Sequence, residues 1–216
     1  MTDLWAQPVS YAAVGATQAP DLLTHPPQGY RPLERRVRIG HGAARFDWAC
    51  AMTMAWGIQS LSGFEIRRVD APAEVTENTY APVAFDAEGT AVRPASITPE
   101  EAHFTPDGTP YLKAGDTAVL GIPFFFWRVK APARVVYVID EPDRKGFAYG
   151  TMTGHPENGE EAFIVERQDD GSVWLRIRAF SRPASALWWV VYPVLRLTQE
   201  FFTRRYERAL AGPIAD

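Results

Sequence analysis

Between Thr117 and Phe180 the chain switches repeatedly between short runs rich in Val, Ile, Phe and Tyr and brief clusters of Gly, Asn and Asp. β-branched and aromatic side chains suit a pleated, half-buried surface, and Asn-Gly or Asp-Gly accepts positive φ at low cost, so this pattern predicts an antiparallel meander. Thr117 to Leu120, Ile122 to Lys130 and Arg134 to Asp140 read as strands, the second made buried in character by Phe124, Phe125, Phe126 and Trp127. Gly146 to Thr153 and Glu160 to Gln168 follow as a pair joined through Asn158-Gly159, and Val173 to Phe180 closes the meander after Asp169, Asp170 and Gly171.

The flanking segments complete the pattern. Leu33, Arg35, Val37 and Ile39 alternate with Glu34, Arg36 and Arg38, the period of a strand. Gly40-His41-Gly42 breaks it, and Phe46, Ala49, Cys50, Thr53 and Met54 then recur at helical spacing, with Trp56 and Ile58 near the end. The spacing predicts one amphipathic helix of about four turns, ended by Ser62-Gly63 and followed by a short strand from Phe64 to Val69. After Ser181-Arg182-Pro183, where Ser181 is placed to cap the next helix, an apolar stripe runs from Leu187 to Leu210, which Pro193 should kink or divide. Strand, helix, strand, meander and final helix make an α+β chain whose sheet wraps a long C-terminal helix, a helix-grip arrangement.

Two segments stand apart. Residues 1–30 carry prolines at 8, 20, 26 and 27 and read as an arm that docks on a domain of residues 31–212 through Leu4, Trp5, Tyr11 and Val14. Residues 70–116 are rich in Pro, Gly, Thr and Glu and read as an irregular excursion with one or two short hairpins.

Composition narrows the function classes. The 216 residues suffice for one core, and 46% of them are hydrophobic. A net charge of −4, from 22 basic and 26 acidic residues, argues against a nucleic-acid binder. Cys50 is the single cysteine, so no intramolecular disulfide forms, and His25, His41, His103 and His155 show no metal-ligand spacing. No cofactor motif appears. The N-terminus lacks a basic-then-apolar leader, and the apolar stretch from Ala186 to Leu195 is far below the roughly 18 residues of a membrane span, which makes the cytoplasm the default expectation.

Gly146 to Phe163, followed by Ala179 to Pro183, resembles the signature of the family known as domain of unknown function nineteen-ninety. Tyr11 to Thr17, Gly40-His41-Gly42, Arg134 to Glu141 and Gln199 to Leu210 are similar to further motifs of that family. The resemblance covers most of the chain outside residues 70–116, a stretch longer than the family's usual connection. Where the family often has Asn-Pro-Cys, Ala131-Pro132-Ala133 stands instead, so no thiol role carries over. The resemblance implies a START-like helix-grip fold and no established reaction. Relatives in that superfamily bind lipids, hormones and polyketides, and some are cyclases or hydroxylase subunits.

Three readings of function follow. In the first, Phe126, Tyr137, Tyr149 and Trp188 line a cavity for a small apolar or amphipathic molecule, with Thr151, Ser181 and Arg182 as polar contacts; the same aromatic residues also suit an ordinary core. Arg182 can meet an anionic group or pair with a hairpin carboxylate such as Glu160. In the second, His155 with Glu160 or Glu161 does acid–base chemistry, an imidazole and a carboxylate being suited to move protons near neutrality. Strand alternation sends Glu160 and Glu161 to opposite faces, so at most one meets a cavity, and the cluster also reads as a loop satisfying its own backbone. In the third, the arm and the excursion form a partner surface, for instance of a homodimer, or the final helix meets a membrane through Trp188, Trp189 and Tyr192 with Arg204, Arg205 and Arg208.

Overall fold

The computed structural model describes residues 3–69, 84–85, 91–92, 104–105, 108–124, 126–185, 188 and 192–213. Its strands are β1 (Arg31–His41), β2 (Glu65–Val69), β3 (Ala84–Phe85), β4 (Ala91–Val92), β5 (Thr117–Phe124), β6 (Trp127–Glu141), β7 (Arg144–Thr151), β8 (Glu157–Arg167) and β9 (Ser172–Pro183). The helices are α1 (Ala43–Thr53), α2 (Gly57–Leu61) and α3 (Tyr192–Ala209). Seven strands form one antiparallel sheet in the order β1-β9-β8-β7-β6-β5-β2, so the predicted meander is real and the first strand pairs with the last. Because β1 and β2 are the two edges, the α1–α2 connection must cross the whole sheet. Most of residues 70–116 lies outside the described residues; the β3–β4 pair is the hairpin seen there.

One face of the sheet packs the helices. Phe147, Phe163, Leu175 and Ile177 meet Phe46, Trp56 and Ile58 from α1–α2 and Phe202, Tyr206 and Leu210 from the α3 end, which makes the main core. The fold is α+β, an antiparallel sheet wrapped around the C-terminal helix. No helix among the described residues is long and apolar enough to cross a membrane.

The other face is covered by the arm. Val9 bridges to Met152, and Tyr11 and Leu22 pack on Phe180. Two arginines on strands reach up to the arm's carbonyls. Arg134 donates to Gln7, Leu4 and Trp5 at 2.6, 2.9 and 2.6 Å, and Arg178 to Thr17 and Ala19 at 2.6 and 2.7 Å. These side chains occupy positions that would face solvent in a two-layer fold; the arm turns them into buried anchors.

Three local expectations need correction. The predicted single helix is broken at Trp56, a non-glycine residue at φ 63°. The indole stacks edge-on against Phe147 at 4.9 Å and tilts over Tyr149 at 5.6 Å. That burial offsets a left-handed backbone cost of about 1–2 kcal/mol. The run from Ile122 to Lys130 is not one buried strand: Phe124 pairs with Trp127 across a reversal, and Phe126 is 97% exposed at the hairpin tip. Asn158-Gly159 is not a turn either. It lies inside β8, the reversal falls at residues 152–156, and at φ 152° Gly159 has no room for a side chain, since a Cβ there would sit 1.9 Å from the Phe180 carbonyl oxygen. Pro193 falls in the first turn of α3; residues 189–191, on which the expected kink also depends, lie outside the described residues.

Candidate functional site

Starting β8 at Glu157 has a direct consequence. Strand alternation puts Glu157, Gly159 and Glu161 on the helix side and Glu160 on the arm side. In α3, Gln199, Phe202, Thr203 and Tyr206 follow the i, i+3, i+4, i+7 rule and present one face to the sheet. Between these surfaces lies a cavity of about 90 Å³. Tyr149 and Thr151 enter from β7, His155 from the β7–β8 turn, Ala179 and Ser181 from β9, and Phe64 and Ile122 close one side.

The polar groups are partly paired. Tyr149 donates its hydroxyl to Glu161 Oε2 at 2.6 Å. Ser181 Oγ donates to Glu157 Oε1 at 3.4 Å and accepts from Gln199 Nε2 at 3.2 Å. Thr151 Oγ1 accepts from the Gly159 N–H at 2.9 Å and shares a 2.8 Å hydrogen bond with Ser10 of the arm. His155 Nδ1 accepts from the Glu157 N–H at 3.0 Å, which leaves the proton of the neutral ring on Nε2. Tyr206 is 4% exposed and lines the cavity, yet its hydroxyl makes no hydrogen bond among the described residues.

Electrostatics follow from burial without a neighbouring cation. No Lys or Arg is among the described lining residues. Burial, and then the charge of Glu161, lifts the Glu157 carboxyl to about 7. Burial lifts Glu161 to about 7 as well, against the opposing effect of the Tyr149 hydrogen bond. Burial pushes His155 down to about 4, so its ring is neutral at physiological pH. Tyr149 and Tyr206 are raised well above the ordinary phenol value by burial and by the Glu161 charge. The site therefore holds two carboxyl groups poised near neutrality, neutral donors, and an apolar rim of Phe64, Ile122 and Phe202.

Residues 10–89 and 81–209 match the family model described as Domain of unknown function (DUF1990). The chain belongs to the DUF1990 family. It is 38% identical to a UPF0548 protein of Deinococcus radiodurans over 110 residues, 47% of this chain and 56% of that protein. It is also 31% identical to a UPF0548 protein of Dictyostelium discoideum over 106 residues, 44% of this chain and 49% of that one. The match thus spans about half the length of these curated relatives. Among solved structures, the hypothetical protein jhp0584 from Helicobacter pylori aligns with TM-score 0.43 and 11% identity, covering 86% of this chain and 90% of that one. Ara h 8.0201 aligns with TM-score 0.43 and 11% identity, covering 85% of this chain and 100% of that one.

In this DUF1990 chain the residues singled out from the sequence divide cleanly. Tyr149, Thr151, His155, Glu161 and Ser181 line the cavity. Glu160 borders it, but its carboxylate is spent on the arm: it accepts from Tyr11 Oη at 2.6 Å, the Gly15 N–H at 2.7 Å, the Thr17 N–H at 3.0 Å and the Thr17 hydroxyl. A His155–Glu160 pair is therefore not formed. Tyr137 faces the arm, sharing a 2.7 Å hydrogen bond with Thr17, because the register shift between Val135 and Tyr137 reverses the alternation. Arg182 neither reaches the cavity carboxylates nor pairs with Glu160; it is exposed and lies 4.5 Å over the Tyr30 ring on the arm side. Phe126 is at the exposed hairpin tip, and Trp188 is half-buried but not among the described lining residues. Ser181 caps no helix, since β9 runs on to Pro183.

Among the lining residues outside the sequence-derived candidates are Glu157, Gln199, Phe202 and Tyr206. For Glu157 the missing step was register: with Asn158-Gly159 taken as a turn, its alternation with Glu161 disappears. The three helical residues carried a usable signal in their spacing. Nothing in it separates a cavity wall from a core contact.

Proposed function

We propose that this chain binds a small amphipathic molecule between the sheet and α3, its polar group among Glu157, Glu161 and Tyr206 and its apolar part along Phe64, Ile122 and Phe202. The observation that carries this reading is the Tyr206 hydroxyl: the residue is 4% exposed, and its hydroxyl lines the cavity beside two carboxyl groups with no hydrogen-bond partner among the described residues. A packed core has no use for a hydroxyl there, and phenylalanine would fill the place. A ligand atom that accepts from Tyr206 or lies between it and the carboxylates would give it a partner. At on the order of 30 Å³ per water, the 90 Å³ cavity admits a few waters or a small head group, so a larger ligand extends past the rim.

The test is native mass spectrometry of the protein purified from its own host, under gentle and denaturing conditions. The reading predicts a small molecule lost only on denaturation, and lost as well from an Ala179→Phe variant that fills the cavity. A protein that carries the same adduct with and without that plug would refute it.

A second reading, acid–base catalysis, is favoured by one observation: carboxyl groups near pH 7 can both give and take protons. The catalytic pair would then be Glu161 and Glu157, with Tyr149 orienting Glu161, rather than His155 with Glu160. Turnover of the bound molecule that Glu161→Gln abolishes even at saturating ligand would distinguish this from holding alone.

A further inference from the structure

We propose that the group received by this cavity is an organic cation, a primary ammonium on a short alkyl chain, bound between Glu157 and Glu161 against the faces of Tyr149, Phe202 and Tyr206. This deepens the binding reading and rests on it. Every charged group lining the cavity among the described residues is acidic: Glu157 and Glu161 from β8, with the Glu160 carboxylate turned to the arm. The remaining titratable groups are neutral, namely Tyr149 from β7, His155 from the turn and Tyr206 from α3. An anion would face two carboxylates with no compensating cation. An ammonium supplies three donors to the acceptor positions that Tyr149 and Ser181 leave open on the two carboxylates.

The walls suit the same class. Aromatic faces attract a desolvated cation, and Tyr149, Phe202 and Tyr206 enclose the carboxylates on the sheet and helix sides. A metal ion is the other cationic occupant. It needs three or four converging ligands, and no group of three His, Cys, Asp or Glu side chains among the described residues is arranged to hold one. At on the order of 30 Å³ per water-sized group, the cavity of about 90 Å³ holds an ammonium group with two carbons, and a third carbon reaches the apolar rim.

Binding a cation should also be linked to protons. Burial raises both carboxyl groups to about 7, so an ammonium that favours their ionised forms displaces protons near neutrality. A neutral alcohol has no reason to do so.

The experiment titrates the full chain with propylammonium and with 1-propanol, following the ring resonances of Tyr149 and Tyr206 by NMR. We expect propylammonium to saturate these shifts at a concentration at least about tenfold below 1-propanol, each tenfold being about 1.4 kcal/mol. Affinity should rise between about pH 6 and pH 8, and Glu161→Gln should lose about tenfold or more. Equal or tighter binding of 1-propanol, or a Glu161→Gln variant that binds propylammonium unchanged, overturns the cation while leaving a ligand cavity in place. Failure of both probes to move either resonance also overturns it, and the adduct measured by native mass spectrometry then decides separately whether the cavity binds anything.

Discussion

Glu161→Gln should make the protein more stable at about pH 8 and leave it nearly unchanged at about pH 4. The carboxyl titrates near its ordinary value of 4.5 in the unfolded chain and at about 7 in the cavity. Between these values the folded state holds more protons, so stability is greatest below 4.5, falls as pH rises and stays low above 7. The full displacement corresponds to roughly 3 kcal/mol. The Glu161 side chain is only partly shielded from solvent, so about 1–2 kcal/mol is the expected gain for the variant. Glutamine keeps an acceptor for the Tyr149 hydroxyl, so the change removes charge without removing the hydrogen bond. The wild-type pH curve alone would not isolate this. His155, lowered to about 4, contributes stability above its unfolded value that is lost as pH falls toward 4, opposing the two glutamates. The variant-minus-wild-type difference, from urea denaturation at both pH values, cancels the His155 part. A variant that is equally stable at both pH values relative to wild type, or destabilised at the higher one, would refute the electrostatic description of the cavity.

Glu160→Ala should cost about 3–5 kcal/mol, because four arm donors lose a buried carboxylate, and should speed amide exchange at Gly15 and Thr17 in hydrogen-exchange mass spectrometry. Tyr11→Phe removes one of those donors and should cost about 1–2 kcal/mol by denaturant titration. Gly159→Ala should cost about 3 kcal/mol or more, or prevent folding, since its Cβ would meet the Phe180 carbonyl oxygen at 1.9 Å; a fully folded variant in a thermal melt would contradict this. Phe126→Ser should change stability by less than about 0.5 kcal/mol, because the ring is 97% exposed.

The sheet was readable because its signals are local. Alternation marked β1, and the Asp170-Gly171 turn fixed the register of β8 against β9. The C-terminal stripe marked α3 through Phe202, Tyr206 and Leu210, all buried. What stayed hidden depended on contacts distant in sequence. Arg134, Arg178 and Glu160 look like solvent-side strand residues and are buried because residues 4–19 lie over them. Phe126 and Trp127 have the composition of a buried strand but are exposed where β5 turns back into β6. The helix break at Trp56 reflects packing on Phe147, which no local rule anticipates. At the site, Tyr149, His155 and Glu161 were legible as polar residues of one hairpin. Glu157 and Tyr206 needed the correct β8 register and the docking of α3.

A high-resolution crystal structure of the protein as purified from its host decides whether the cavity holds a ligand. Non-water density is expected between Glu161 and Tyr206, within hydrogen-bonding distance of the Tyr206 hydroxyl. A closed interior, with Tyr206 donating directly to Glu157 or Glu161 and no space left beside Phe202, would contradict it.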